Sequence, residues 1–306
     1  MKILVMGSGG VGGYFGAKLA RAGEAVTFVA RGAHLDAIRT RGLRIKSRVE
    51  GEFVVTAPAT DTPEDSGPAD LILFCVKSYD TEVAARALDR AVGPETAILS
   101  LQNGVDNEAK IEAILGSGHV LGGVAYVFAT IESPGVIFHS LGGRIVLGEL
   151  DGSESPRAWR IRNTLAKAAI AVEVSSQIQR VLWEKYLFIV AQSGMTALTR
   201  CPIGVVRSVP ETRKVYRLIL EELAALAKAA SIQLAPTAAD AIMMATDNLA
   251  PTAYSSLHYD LTHGKRLELE ALQGYAVRLG ERLGIPTPMC SAVYASLKPY
   301  LNGPPA

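Results

Sequence analysis

A chain of 306 residues, 49% of them hydrophobic, has material for two ordinary cores, and its formal net charge of +1 gives no general electrostatic pull toward nucleic acid. No apolar run reaches membrane-spanning length, and a strand that starts almost at Met1 leaves no room for a signal peptide, so a cytoplasmic protein is expected. Cys75, Cys201 and Cys290 are too few and too scattered for a disulfide framework; the histidines show no metal-ligand spacing, and no metal is expected.

The chain opens on an apolar strand, Lys2 to Met6, followed by Gly7-Ser8-Gly9-Gly10-Val11-Gly12-Gly13 and a helix from Tyr14 to Ala22. Gly7 permits a tight turn, Gly9 lets the backbone approach a pyrophosphate, and Gly12 brings helix against strand. The helix N-terminus then faces the phosphates. Glycine-rich turns of this spelling also occur without a ligand. Here the strand before, the helix after and a second strand from Ala25 to Ala30 agree on dinucleotide binding, which makes Gly7, Ser8, Gly9, Gly10, Val11 and Gly12 candidate cofactor contacts. In an NAD site the second strand ends on an acid. This one ends on Ala30-Arg31, and Glu24 precedes the strand, on the wrong side. Arg31 can pair with a 2′-phosphate and stack on adenine, or it can be a solvated loop residue. After this turn the expected cofactor is NADP(H).

His34 to Thr40 reads as a short helix, and Gly42 to Ser47 and Glu52 to Thr56 as short strands about a Gly51 turn; Ala57 to Pro68 is a loop. Leu71 to Val76 and Thr96 to Leu101 are buried parallel strands, with a helix from Thr81 to Ala91 between them. Ligands of open parallel sheets sit beyond the carboxyl ends of the strands, which makes Lys77 and Asn103 crevice candidates as well as ordinary surface residues. Val105 to Leu115 is a helix. From Val120 to Leu147, residues with strand preference alternate with turns at Ser133-Pro-Gly135 and Leu141-Gly-Gly143, which predicts an antiparallel meander on the sheet's edge. A helix from Arg157 to Ala169 and a strand from Val172 to Ser175 close a domain of residues 1–175.

From Gln177 the pattern is helical, giving a second domain of residues 176–306. Lys185 lies in the apolar stretch Val181 to Val190 and shares a helix face with Gln192, Ser193 and Thr196. It is either half-buried with a lowered pKa or snorkels to solvent. Further helices are expected over Pro210–Ala230 and Pro236–Asn248, from Thr252, from Gly264, and after Pro286-Thr-Pro288 to about Leu301. Glu268 and Glu270 cannot share a helix face, and in isolation both read as solvated helix-start acids.

Several short marks occur together and in order: the glycine turn with Arg31, Val76-Lys77-Ser78, Gln102-Asn103-Gly104, Leu182-Trp-Glu-Lys185, Ser255-Ser256 with Asp260, and Glu268 ahead of Gly274. With these the chain resembles the ketopantoate reductases over nearly its whole length. The resemblance implies a Rossmann-like dinucleotide-binding domain, then an all-α domain of the 6-phosphogluconate dehydrogenase type, with the active site between them. It implies that Lys185 is the catalytic lysine, Glu268 its partner acid, Asn103 and Ser256 substrate contacts, and Lys77 a crevice lysine near the nicotinamide ribose. Asn103 then also borders the cofactor. The family's asparagines at three further positions are replaced here by Ile189, Ser193 and Ala253. Ser193 remains a candidate substrate contact.

The activity implied is reduction of ketopantoate to pantoate by NADPH, with a small 2-oxo acid as partner and neither nucleic acid nor membrane. Lost amides change specificity strongly, so another branched or aromatic 2-oxo or 2-hydroxy acid is the rival substrate. A non-catalytic NADP-binding sensor is the rival of another class. A homodimer through apolar helix faces and a monomer are both compatible with the sequence.

Overall fold

The computed structural model describes residues 1–305 and divides into two compact units. Among the described residues, unit 1 comprises residues 1–102 and 106–179, and unit 2 comprises residues 103–105 and 180–305.

Unit 1 is built on a ten-stranded sheet. Its strands are β1 (Lys2–Met6), β2 (Ala25–Val29), β3 (Leu43–Ser47), β4 (Gly51–Val55), β5 (Ala59–Thr60), β6 (Leu71–Phe74), β7 (Ala97–Ser100), β8 (Val120–Ser133), β9 (Val136–Glu149) and β10 (Ala171–Val174). Their spatial order is β4-β3-β9-β8-β7-β6-β1-β2-β5, with β10 also on β9. The central strands show why helices must cover both faces. Ile3, Val5, Leu71, Leu73 and Leu99 belong to one buried cluster, whereas Leu4, Met6, Ile72, Phe74 and Ile98 belong to another. Successive side chains of a strand point to opposite faces, so each of these strands feeds two cores. On the first face lie α1 (Gly10–Arg21), α2 (Gly32–Arg41) and α5 (Pro156–Lys167); on the second lie α3 (Thr81–Arg86) and α4 (Asn107–Leu115). This is a Rossmann-like doubly wound layer, as the sequence predicts.

The β8–β9 region differs from the expected edge meander. It is one long hairpin in the body of the sheet, antiparallel within itself and parallel to β7 on one side. On its other side β9 is long enough to take β3 along Val136–His139 and β10 along Arg144–Leu147. The turn predicted at Pro134-Gly135 is present, with Gly135 at φ 79°. The one predicted at Leu141-Gly-Gly143 is instead a bulge within β9, where Gly142 and Gly143 have φ 86° and 122° and the register slips opposite Tyr126 and Val127. A Cβ at Gly142 would lie 2.4 Å from the Tyr126 carbonyl oxygen. Glycine here serves close backbone approach inside a strand, which the sequence spells in the same way as a turn.

Unit 2 is all helical: α6 (Ile178–Thr199) enters it from the end of unit 1, followed by α7 (Ile203–Ser208), α8 (Pro210–Ala229), α9 (Ala238–Asp247), α10 (Ser256–Thr262), α11 (Gln273–Leu283) and α12 (Pro288–Leu297). Its core joins Trp183, Tyr186, Leu187 and Val190 of α6 to Tyr216, Leu220 and Leu223 of α8 and to Ala276, Leu279, Cys290 and Val293. The Glu222 carboxylate takes the Met289 and Cys290 amides at 2.7 and 2.9 Å and so caps α12 from a distant helix. Two expectations fail here: the helices expected from Thr252 and from Gly264 begin only at Ser256 and at Gln273.

Candidate functional site

In unit 1, β2 and β5 lie in turn on one side of β1, and β6 and β7 lie on its other side; the β3–β4 pair, which falls between β2 and β5 in the chain, sits at the far end of the sheet on β9. The reversal lies between β1 and β6, where open parallel sheets bind ligands. The glycine turn ends β1 and Val76-Lys77 ends β6, so both stand at that point. Gly7 adopts φ 97°, and a Cβ there would lie 2.8 Å from the Val76 nitrogen. A Cβ on Gly12 would lie 2.2 Å from the Gly7 carbonyl oxygen, and one on Gly10 would lie 2.0 Å from the Ala129 carbonyl oxygen. Gly9 is the exception: its φ of −73° suits any residue, and its Cβ would meet nothing within 4 Å. Three of the glycines are therefore required by packing against the chain itself, whereas Gly9 faces open space.

Gly9 is also the N-cap of α1, with no side-chain cap and no acid in the first turn. The amides of Gly9, Gly10, Val11 and Gly12 donate to no backbone carbonyl among the described residues. Ser8 is buried, and its amide and hydroxyl both donate to the Val29 carbonyl at 3.0 Å, fixing the turn to the end of β2. Unpaired amides, a positive dipole end and unfilled space above Gly9 suit an anionic pyrophosphate.

Past the end of β2, Arg31 is exposed and forms the N-cap of α2, whose first turn has no acidic residue. Neither the last residues of β2 nor the first turn of α2 supplies a carboxylate. At the β6 end, Lys77 is half-buried and caps a single 3-10 turn over Ser78–Asp80. Gln102, at the end of β7, donates to the Val76 carbonyl at 2.9 Å and to the Thr81 hydroxyl at 2.8 Å, which locks the two strand ends together. Asn103 follows directly, half-buried, and groups with unit 2. Gln102 was quoted in the sequence only as a neighbour of Asn103; nothing in its local pattern distinguishes a tie between strand ends from a surface amide.

In unit 2, Lys185 is half-buried on α6, with Ile189, Gln192, Ser193 and Thr196 on the same helical stripe. Side-chain bonds bring other segments to this helix. The Tyr186 hydroxyl donates to the Leu272 carbonyl at 2.6 Å, and the Gln273 amide donates to the Val190 carbonyl at 2.9 Å and to the Ser193 hydroxyl at 3.2 Å. The Thr196 hydroxyl lies 2.8 Å from that of Ser255, the N-cap of α10, which also accepts from the His258 amide at 3.0 Å. Ser256 is the first residue of α10 and is exposed.

Glu268 is not a solvated helix-start acid. It is 6% exposed in the turn before α11, where its carbonyl accepts from the Ala271 and Leu272 amides. Glu270 is the surface acid of the pair, bound to Arg278, Lys298 and Tyr294, and these contacts outweigh its desolvation and hold its carboxyl below the ordinary range. The Tyr186 and Gln273 bonds thus set the Glu268 turn against the α6 segment that carries Lys185. The side-chain oxygens of Gln192 and Gln273 are buried with no hydrogen-bond partner among the described residues. Buried amide oxygens are ordinarily satisfied, so this stripe has polar capacity to offer a bound molecule or water. Gln273 is the residue that sequence reasoning missed in unit 2. Its one trace is Gly194, where a Cβ would lie 2.9 Å from the Gln273 nitrogen.

No helix among the described residues is long and apolar enough to cross a membrane. Residues 3–152 match the family model for ketopantoate reductase PanE/ApbA, and residues 177–301 match that for its C-terminal region. A PanE/ApbA family ketopantoate reductase structure from Ralstonia eutropha is 34% identical, covers 98% of each chain and superposes with a TM-score of 0.91. A 2-dehydropantoate 2-reductase of Archaeoglobus fulgidus is 32% identical over 284 residues, spanning 93% of this chain and 92% of its own. The ternary structure of D-mandelate dehydrogenase with NADH and anilino(oxo)acetate shares the fold, at a TM-score of 0.91 over 98% of each chain, with only 21% identity. The glycine turn at a switch point, the helical second unit and these matches across both units have one reading: the chain belongs to the ketopantoate reductase PanE/ApbA family of dinucleotide-dependent oxidoreductases.

Proposed function

We propose that this chain reduces a 2-oxo acid with NADPH, and that ketopantoate, giving pantoate for coenzyme A biosynthesis, is the first substrate to test. The observation that carries the reading is the α6 stripe. It presents an ammonium among buried polar side chains, next to the turn that holds a buried carboxylate. When bound, the nicotinamide supplies the hydride. The residues that would hold the cofactor are Gly7 to Gly12 at its pyrophosphate, Arg31 at its 2′-phosphate, and Lys77 with Asn103 toward its nicotinamide end.

The chain's own part is proton and charge management. Negative charge develops on the ketone oxygen during reduction. The Lys185 ammonium stabilises that oxygen and donates its Nζ proton to it as general acid. Glu268 fixes Lys185 or accepts a hydrogen bond from the substrate, and Asn103, Ser256 and Ser193 orient the carboxylate or hydroxyl end. Arg31, exposed on a helix N-terminus free of acids, supports NADP over NAD.

A second reading has its own support. Ile189 and Ala253 are half-buried and pack on the apolar core of unit 2, at positions where the resemblance places asparagines. Methyl groups there favour a substrate with an apolar branched or aromatic side chain over one with a hydroxyl to be bound. Steady-state kinetics with NADPH and a panel of 2-oxo acids separates the two readings. Ketopantoate should lead in kcat/KM under the first, and a hydroxyl-free analogue under the second. The Lys185→Ala variant should lose roughly two to four orders of magnitude in kcat while still binding NADPH. Tight NADPH binding with no turnover on any member of the panel would replace both readings with a sensor.

A further inference from the structure

His34, on the first turn of α2, occupies a place that the proposed chemistry does not use. Its Nδ1 accepts from the Gly135 amide at 3.0 Å, and its Nε2 lies 2.8 Å from the Ser8 carbonyl oxygen. The two contacts fix one tautomer. A ring nitrogen that accepts an N–H carries no proton, so the proton is on Nε2 and is donated to Ser8. The Ser8 carbonyl belongs to the same planar peptide as the Gly9 amide. In a trans peptide the two point in opposite directions. Anchoring the carbonyl on His34 therefore turns the Gly9 N–H away from α2. Gly9 is also the glycine whose Cβ position is open.

We propose that His34 is a positioning residue for the dinucleotide: its neutral imidazole sets the orientation of the Ser8–Gly9 peptide, so cofactor affinity falls when His34 is protonated. The proposal rests on the assignment of the glycine turn to the cofactor pyrophosphate. An imidazolium presents an N–H on Nδ1 to the N–H of Gly135, two donors facing each other, and the hairpin tip is lost as a support. The half-buried site opposes the charge as well, and burial holds the His34 pKa below its ordinary value against the weaker pull of the Ser8 carbonyl.

The charged neighbours on the packed elements are otherwise engaged. Arg41 reaches the Pro134 carbonyl at 3.4 Å, Arg39 pairs with Asp61 at 3.5 Å, and Lys46 pairs with Glu132 at 2.6 Å. Arg31 and Asp36 on α2 are exposed, and the glycine turn carries no charge.

The test is calorimetric titration of NADP+ into the full chain from about pH 8 down to about pH 5.5, for wild type, His34→Gln and His34→Leu, with a thermal melt at each pH to establish folding. Glutamine donates and accepts without titrating. The expected result is that wild-type affinity falls by about two- to fivefold toward the acid end beyond any loss seen in His34→Gln. The comparison removes the titration of the 2′-phosphate itself. His34→Leu should bind about tenfold more weakly than wild type at the alkaline end. Parallel pH profiles for wild type and His34→Gln would overturn the proposal, as would wild-type affinity in a folded His34→Leu. If the wild type binds neither NADP+ nor NAD+ at any pH, the cofactor assignment has failed, and the positioning role falls with it.

Discussion

Gly9 and Gly12 make a matched pair that separates ligand binding from folding. At Gly9 an added methyl meets nothing within 4 Å, and the backbone at φ −73° accepts any residue. Gly9→Ala should therefore fold normally. Its stability should stay within about 1 kcal/mol of wild type, with a gain of ~0.4–1 kcal/mol possible from the less flexible unfolded chain. At Gly12 the same methyl lies 2.2 Å from the Gly7 carbonyl oxygen, 2.9 Å from Val5 and 3.0 Å from Cys75. The first of these is backbone in the turn itself, so relief requires α1 to lift off β1. Overpacking of this kind costs about 1–3 kcal/mol, and for a unit of this size each kcal/mol lowers Tm by roughly 2–4 °C. Cofactor affinity should run the other way. A methyl above the Gly9 amide displaces a phosphate oxygen and forfeits at least one charge-assisted hydrogen bond, about 1.5–3 kcal/mol, or roughly ten- to a hundredfold in Kd. Thermal melts and fluorescence titration with NADPH measure both quantities on the same samples. Gly9→Ala with wild-type NADPH affinity would refute the placement of the pyrophosphate over Gly9, and an equal fall in Tm for both variants would refute the geometric distinction.

Arg31→Ala should raise KM for NADPH by about ten- to a hundredfold and leave that for NADH within a factor of a few, since only the former carries a 2′-phosphate; equal changes in steady-state assays would remove Arg31 from cofactor selection. Lys18 is 2% exposed within α1 and is held by Glu50 and by the Ala169 carbonyl at 2.9 Å, with Tyr14 donating to the same carboxylate at 3.2 Å. Glu50→Ala strands that ammonium and should cost about 2 kcal/mol in urea unfolding, discounted from the ~3–5 kcal/mol of a fully buried pair because Glu50 keeps 27% exposure. Burial lowers the pKa of His34, His139 and His258 from 6.5, with the His263 charge adding to the effect at His258. In the window between the lowered and the ordinary values the unfolded chain binds more protons, so stability is complete above about pH 6.5 and declines as pH falls through that window. A Tm that rises on acidification from pH 7 toward pH 5 would contradict this sign.

The central strands were legible because β6 is an unbroken apolar run and β7 is apolar up to Ser100, and such runs have few alternatives to a strand buried on both faces. The β8–β9 region was misplaced for a reason of the same kind. A pair of glycines between β-forming residues marks either a chain reversal or a bulge, and local composition is the same in both. Only the pairing of Tyr126 with Arg144 on one side of the slip and of Phe128 with Leu141 on the other distinguishes them. Glu268 illustrates the converse. Its immediate neighbours, Arg266 exposed and Glu270 on the surface, spell a polar helix start, but Leu267, Leu269 and Leu272 bury the turn and draw the carboxylate in with it.

The residues that sequence reasoning reached and those it missed differ in what they bond to. Gly7, Gly9, Gly12, Arg31 and Lys185 carry their chemistry in residue type and in position relative to a strand or helix, and both are local. His34, Gln102 and Gln273 hold chain segments that are remote in sequence, and their partners are mostly backbone groups: the Ser8 carbonyl and Gly135 amide, the Val76 carbonyl and the Val190 carbonyl. A backbone carbonyl is the same whichever side chain it carries, so no motif at the partner can announce such a bond. The local code thus reveals where a ligand can be met. The orientation of the groups that meet it depends on amide and imidazole ties that only the folded chain exposes. Substitutions at these tying residues should therefore change affinity and pH dependence before they abolish turnover, whereas substitution of Lys185 should do the reverse.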